Sequence, residues 1–534
     1  VRTGDGDITM NAARDVDLTG SAQPVYRKAD GSNATIHAVN GYQVGGAAVY
    51  TAGQRVAPGV MSAQLANTAI GLNLSGGLFA PKPEDITSAP TSAGRTDHQP
   101  VIAFNGGNVD VDAGRDVLGR LDLWTAQQKP LTFGARQADL SLIPGTLGLA
   151  NQSWRAGVIG VQTEVGILPE YFGSGIGALA GGDVSINAGR DVSDLTVALD
   201  SSLTKTPGAN TDVLATFGSG NFALTVGRDL NGGQFDVTNG QSNAHIGRNV
   251  TTFTTPGTNE GRIDNTTFRL ENASIAMIAG GQIDSLDAYG LGAGYGSAST
   301  GDVPADRSLS NAGLYSPITA ISATALGDVT FGGGNFAPPT LELASLEGSV
   351  KFTAKTTLYP SPVGALALLS AGDIGDFSVA MLDLDPTLLA QSAFASGTGL
   401  APGASLLAGS QDPVALLQRP ADFPGINDLI SEGTRRLMHN SLITHRNDFT
   451  PARIYTDGSI TNTSINLPKF ANIGAGVDII DTFFVGQNVR ASDETRIYAG
   501  RDIGATTQTI GSPGGLPYFN ATSFYLGGPG VFSV

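Results

Sequence analysis

The stretches Gly107-Asn108-Val109-Asp110-Val111-Asp112-Ala113 and Gly182-Asp183-Val184-Ser185-Ile186-Asn187-Ala188 alternate polar and apolar residues one for one. A period of two is the pattern of a β-strand with one buried face. It predicts strands, not helices, at both places. Each stretch runs into Ala-Gly-Arg-Asp-Val. The glycine permits a positive φ, the Arg-Asp pair is expected at a solvent corner, and the valine returns to the interior. One unit therefore reads strand, turn, strand.

The corner phrase recurs. Its copies are Arg14-Asp15, Gly114-Arg115-Asp116, Gly189-Arg190-Asp191, Gly227-Arg228-Asp229, Gly247-Arg248-Asn249 and Gly500-Arg501-Asp502, each followed by Val, Leu or Ile. The first five arginines are 101, 75, 38 and 20 residues apart. These spacings lie near five, four, two and one periods of roughly 19 to 20 residues, as a solenoid requires. A unit of this length cannot bury its apolar face alone, so neighbours must stack on it. The expected fold is all-β: a right-handed parallel β-helix, with irregular and partly helical insertions. Stacked at about 4.8 Å, about 20 rungs would give a rod about 100 Å long.

The repeat is lost in places. Residues 21–100, 120–178 and 287–320 are expected to be loop insertions in a β-helix spanning 1–384. Trp124, Trp154, Tyr171 and Phe172 cluster in the second of them. The largest break is 385–450, where prolines and apolar residues three and four apart predict helical segments. Leu429, Ile430 and Leu437 would form an apolar stripe covering the flank of the rod. The β-helix is expected to resume over 451–534 and to continue beyond the cut C-terminus, with Leu384 and Ile454 only a few rungs apart. Both ends of the chain fall inside a repeat, as expected of a piece of a longer protein.

The phrase Gly-Asp-Val-Ser-Ile-Asn-Ala-Gly-Arg-Asp-Val at 182–192 resembles the repeat of filamentous haemagglutinin-type exoproteins, the large adhesins of Gram-negative bacteria. Pro451-Ala-Arg453-Ile454-Tyr455 and Arg496-Ile497-Tyr498-Ala-Gly500-Arg501-Asp502-Ile503 are similar to the distal part of very large members of that group. The resemblance covers about two thirds of the chain. It implies two-partner secretion: passage through an outer-membrane β-barrel transporter, then folding outside the cell on the bacterial surface. The family's N-terminal secretion domain is not visible in these residues.

Charge and cysteine content narrow the partners. A net charge of −17 argues against nucleic acid, whose binding rests on cationic contacts to phosphate. Zero cysteines among 534 residues removes the disulfides that would lock a chain before it threads an export pore. No run of about 18 apolar residues is present to span a membrane as a helix.

Little in the sequence points to catalysis. Asp373 and Asp376, with Asp383 and Asp385 further on, are the acids a β-helix polysaccharide lyase or hydrolase would need, but Ser370-Ala-Gly-Asp373-Ile reads as another corner. His439 and His445 lie six apart, an unfavoured spacing for a zinc pair, and have no cysteine to complete a site. We expect no catalytic residue, metal or cofactor. The tail residues Tyr518, Phe519, Phe524 and Tyr525 are candidates for binding, set against a plain aromatic stack between rungs. The corner arginines either line a groove for acidic glycans or, the favoured alternative, pair with aspartates of neighbouring corners. The expected function is a non-enzymatic rod of a secreted adhesin that attaches to glycans or proteins on host or bacterial surfaces, with side-by-side association of rods as a further expectation. The alternatives are the stalk of a contact-dependent toxin exoprotein and the polysaccharide-cleaving β-helix.

Overall fold

The structure is a computed structural model. It describes residues 1–19, 25–27, 33–35, 48–56, 102–119, 155–157, 165–167, 172, 175–206, 213–218, 220–254, 263–290, 315–332, 336–381, 444–506 and 521–534. Among them no residue is helical, and the strands of the one large sheet stack in parallel as successive turns of a β-helix. The helical segments expected within 385–450 lie outside the described residues, apart from a turn at 444–447. Two compact units are distinguished: Val1–Ser242 with Phe253–Asp264, and Asn243–Thr252 with Asn265–Gly290 and Asn311–Val534.

In the first unit each turn has three faces. Ile8–Ala12, Val109–Ala113, Val184–Ala188 and Phe222–Val226 pair in that order on the first face, with Ile8 opposite Val109, Val109 opposite Val184, and Val184 opposite Phe222. Val16–Asp17, Val117–Leu118, Val192–Ser193 and Leu230–Asn231 form the second face beyond the corner. Ala48–Thr51, Gly175–Ala178 and Thr196–Leu199 stack on the third. Because the register is exact, the alternation seen in sequence places Val111, Ile186 and Leu224 in one buried column and Val117, Val192 and Leu230 in another. Burying each such side chain stabilises by about 1.5–3 kcal/mol.

This register corrects the spacing arithmetic. The corners at Arg14, Arg115, Arg190 and Arg228 sit on consecutive rungs, although 101, 75 and 38 residues separate them. The near-multiples of 20 are coincidental. Chain between consecutive corners therefore varies widely in length while each corner advances by one rung. Some of it is seen: Arg155–Gly157, Val165–Ile167, Ser202–Thr206 and Val213–Phe217 make an antiparallel four-stranded sheet, and Phe172 packs edge-on against Tyr50 at 5.3 Å. The stretches expected as loops also contribute rung strands, namely Ala48–Thr51, Gly175–Ala178 and the end of Ile283–Gly290.

The second unit repeats the three-faced turn. Leu368, Ile454, Ile473 and Ile497 form one buried column of the first face. Ile374, Ile460 and Ile479 form one on the second. Leu368 is directly opposite Ile454, so the strands Leu366–Ser370 and Ala452–Thr456 lie on adjacent rungs although 382–443, outside the described residues, fall between them in sequence. Leu384 itself lies outside the described residues.

The corner glycines need a second correction. Gly114 and Gly189 do not have positive φ. They are glycine for space: a Cβ on Gly114 would stand 2.3 Å from the Ala13 carbonyl oxygen, and one on Gly189 would stand 2.3 Å from that of Gly114. Left-handed backbone occurs at the next corner, between the second and third faces. There Asp194 has φ 50° and Gly232, its successor on the following rung, has φ 61°. In the second unit Asp376, Asn462 and Asp481 occupy this position on successive rungs with φ of 52°, 50° and 51°. Asn and Asp tolerate this region better than other residues with a Cβ.

Candidate functional site

The Arg-Asp corners are accounted for by the stacking itself. In the first unit Asp15 Oδ1 accepts the backbone N–H of Asp116 (3.3 Å), Asp116 that of Asp191 (3.2 Å) and Asp191 that of Asp229 (3.1 Å). A parallel column runs through Asp7, Asn108, Asp183 and Asn221, with N···O distances of 2.7–2.8 Å. The guanidiniums reach back to the same carboxylates: Arg190 makes two bonds to Asp116, Arg115 lies 3.6 Å from Asp15, and Arg228 lies 3.4 Å from Asp191. Arg14 faces its own Asp15 at 3.8 Å. Of the two readings of the arginines, pairing between neighbouring corners is the one realised.

Corners in the second unit follow the same rule with other residues. Asn249 accepts the N–H of Gln282, Asp328 that of Ser349, Asp373 that of Ser459, and Asp478 that of Asp502. Arg501 pairs with Asp478 and lies 3.7 Å from Asp502. The Gly247 and Gly476 carbonyl oxygens lie where a Cβ on Gly280 or Gly500 would have to go. Asp373 is therefore a corner residue. Asp376 accepts a hydrogen bond from the Asn462 amide at 2.6 Å, one rung on. Asp383 and Asp385 lie outside the described residues, as does His439.

His445 is at the core of a buried charged cluster. Its Nδ1 lies 3.0 Å from Asp448 Oδ2, the same oxygen that accepts from Lys469 Nζ, and Asp448 Oδ1 accepts the Thr450 N–H at 2.9 Å. Lys469 is only 1% exposed and also donates to the Gly364 carbonyl at 3.2 Å. Burial pushes the Asp448 carboxyl up, but the hydrogen bonds from His445, Lys469 and Thr450 and the Lys469 charge together hold it well below its ordinary value. Burial lowers the Lys469 ammonium, against the opposing pull of Asp448. Arg490 closes the cluster, donating to the Asp448 carbonyl at 2.5 Å and to Asp493 at 2.8 Å with its guanidinium 4.1 Å from the Phe449 ring centre. The cluster pins the returning chain at 444–450 to two later turns. Its histidine is a structural partner of Asp448, and no group of three or more metal-ligating side chains occurs among the described residues.

Of the tail aromatics, Tyr518 and Phe519 lie outside the described residues. Phe524 sits opposite Phe484 in register and meets Phe532 edge-on at 6.5 Å; Tyr525 is 58% exposed and 5.6 Å from Phe483. Tyr525 thus meets a ring on the preceding rung, and Phe524 a ring of the following strand Val531–Ser533.

An aromatic pair that the sequence did not single out, half-buried Tyr455 and exposed Tyr498, lies on the first face of the second unit. Tyr455, Gly474 and Tyr498 are in register on consecutive rungs and point outward. A Cβ on Gly474 would meet the Tyr498 ring at 2.3 Å, so that ring lies back over the glycine, bringing its centre within 6.4 Å of the Tyr455 ring at an angle of 43°. Leu369, 42% exposed, precedes Tyr455 in the same column. Two residues along each strand runs a polar column: Arg453, Asn472 and Arg496. Arg496 pairs with Glu494 at 2.6 Å, whereas the exposed Arg453 guanidinium makes no hydrogen bond or ion pair among the described residues. Burial and the neighbouring Tyr498 raise the Tyr455 hydroxyl's pKa against the pull of Arg453 and Arg496.

These features define an all-β protein of the parallel β-helix class. No family model, no curated protein and no solved structure matches the chain.

Proposed function

We propose that this chain is a non-enzymatic segment of a secreted, cell-surface filamentous adhesin, exported through an outer-membrane β-barrel transporter and attaching to surfaces through its outward sheet faces. The observation that carries the reading is the division of labour among polar groups. The aspartates and arginines of the repeats are engaged in bonds from corner to corner, while Tyr498 and Arg453 stand exposed on one sheet face beside the half-buried Tyr455. The acids a polysaccharide-cleaving site would use support the same reading, since Asp373 holds the Ser459 N–H and Asp376 the Asn462 amide. Absence of cysteine and the acidic balance suit export and a soluble surface protein.

The test is attachment. Beads coated with the purified chain should bind Gram-negative or epithelial cells well above beads coated with albumin. Release of oligosaccharides from polygalacturonate or alginate by the same preparation would replace the adhesive reading with an enzymatic one.

A further inference from the structure

We infer that the Tyr455–Tyr498 face is a binding site for an acidic oligosaccharide, one whose sugar rings bear carboxylates, as in a uronate chain. The inference rests on the adhesive reading and gives it a ligand class.

The argument begins with width. Over the rungs from Leu369 to Tyr498 the apolar surface is one column, exposed Leu369, half-buried Tyr455 and exposed Tyr498, bordered along each strand by Arg453, Asn472 and Arg496. A stable protein partner needs about 800 Å² from each side, which one column does not supply. A chain one sugar ring wide fits it. The C–H face of a pyranose is attracted to the electron-rich face of an aromatic ring, and the tyrosine hydroxyls add hydrogen bonds at the rim. Two ring centres 6.4 Å apart and inclined by 43° present seats for neighbouring sugars of one twisted chain.

Charge chooses among sugars. In a chain of net charge −17 most described guanidiniums of the repeats have a carboxylate, whereas Arg453, two residues from Tyr455 on the same face, has none among the described residues. A guanidinium offers two parallel N–H groups, a match for a planar carboxylate carried by a sugar seated on the adjacent ring. Asn472, one rung on, adds an amide able to bond ring hydroxyls. Gly474 is the positioning residue: without a Cβ it lets Tyr498 lie back toward Tyr455.

The experiment titrates the whole chain with hexagalacturonate and, in parallel, with the neutral maltohexaose, by calorimetry. Hexagalacturonate should bind and maltohexaose should bind at least about tenfold more weakly, the difference being the charge-assisted contact. Tyr498→Ala should weaken hexagalacturonate binding about tenfold, and Tyr498→Phe should leave most of it. Gly474→Ala should reproduce the Tyr498→Ala loss with both tyrosines intact. Arg453→Gln should abolish the preference for the acid. Unchanged melting curves will show that these face variants are folded. No binding of hexagalacturonate, binding indifferent to Tyr498→Ala, or equal affinity for the neutral hexamer would each overturn the assignment. Beads that attach to cells but ignore hexagalacturonate sink the site and leave the adhesive reading standing. A chain that binds the hexamer but no cell does the reverse.

Discussion

The Arg190 guanidinium donates two hydrogen bonds to the Asp116 carboxylate of the preceding rung, at 3.1 and 2.8 Å, and that carboxylate also accepts the Asp191 backbone N–H at 3.2 Å. The recurrent Arg-Asp dipeptide is therefore an instruction for stacking. Its aspartate ties down the next rung's backbone, and its arginine reaches back to the aspartate before it.

The two roles separate by mutation. Arg190→Ala removes a partly exposed ion pair and should lower stability by about 0.2–1 kcal/mol. Asp116→Ala also leaves the Asp191 N–H without its acceptor and should cost about 1–3 kcal/mol. Asp116→Asn keeps the acceptor and should fall close to Arg190→Ala. Urea midpoints of the three variants give the order, and equal losses would mean that the backbone bond contributes nothing.

Gly189→Ala should destabilise by about 1–3 kcal/mol or more, because its new methyl meets the Gly114 carbonyl, a backbone atom that cannot swing aside. Gly6→Ala is the control. A Cβ there meets nothing within 4 Å, so its melting temperature should match that of the parent chain.

Asn462 tests the other corner. Its φ of 50° suits glycine, and its amide bonds Asp376. Asn462→Gly and Asn462→Ala both lose that bond, but alanine is additionally strained by about 1–2 kcal/mol. Glycine should be the more stable variant, and the reverse order in thermal melts would contradict a left-handed residue at this corner.

The charged cluster predicts an acid transition. The folded-state pKa of Asp448 is depressed below the ordinary 3.8, so the unfolded chain binds the proton more readily. Its contribution is fully present above that ordinary value and is lost as pH falls through it toward the folded pKa. Lys469 has the same sign of pH dependence in another window: its lowered pKa costs stability at neutral pH, and that cost fades as pH rises toward 10.5. Urea midpoints measured from about pH 6 down to about pH 2 should fall more steeply for the parent chain than for Asp448→Asn. Lys469→Met, which strands the carboxylate, should cost about 3–5 kcal/mol at neutral pH.

Replacing residues 385–443 with a short Gly-Ser linker should leave a folded β-rich chain, since Leu368 and Ile454 face each other on adjacent rungs. The turn at 444–450 is kept because Asp448 holds Lys469. Collapse of the circular dichroism signal would place part of the core in the deleted stretch.

How much of this was legible in the sequence follows from how local each determinant is. The alternation at 109–113 and 184–188 is a property of five adjacent residues, and the strands and buried columns it predicts are those observed. Corner chemistry was legible only where arginine marked it. Gly281-Gln282, Gly348-Ser349 and Gly458-Ser459 occupy the same place without the phrase, because the acceptor on the preceding rung, Asn249, Asp328 or Asp373, supplies the bond. Sequence alone offers a positive φ as the reason for glycine at 114 and 189, whereas the carbonyl each avoids belongs to a rung 101 or 75 residues earlier. Tyr455 and Tyr498 become a pair only through register with Gly474, and Lys469 in Leu467-Pro468-Lys469-Phe470 reads as an exposed turn until the chain at Asp448 is brought over it.

Adjacent rungs closed by very different lengths of chain also imply an order of assembly. Thr463 and Thr482 are 19 residues apart and joined by a side-chain bond, whereas Asp7 and Asn108 are joined across 101. Closing the longer loop costs only about 1.4 kcal/mol more entropy, little enough for the finished fold to tolerate. Its ends, however, meet far more rarely in an unfolded chain, and contacts distant in sequence form slowly. Rungs about 20 residues apart, such as those of Ala320–Ser345 and of Ala452–Gln487, are therefore expected to close early, and the rung at Ile8–Ala12, joined across 101 residues, late. The distance between corners, which measures nothing in the folded structure, sets the sequence of events that makes it.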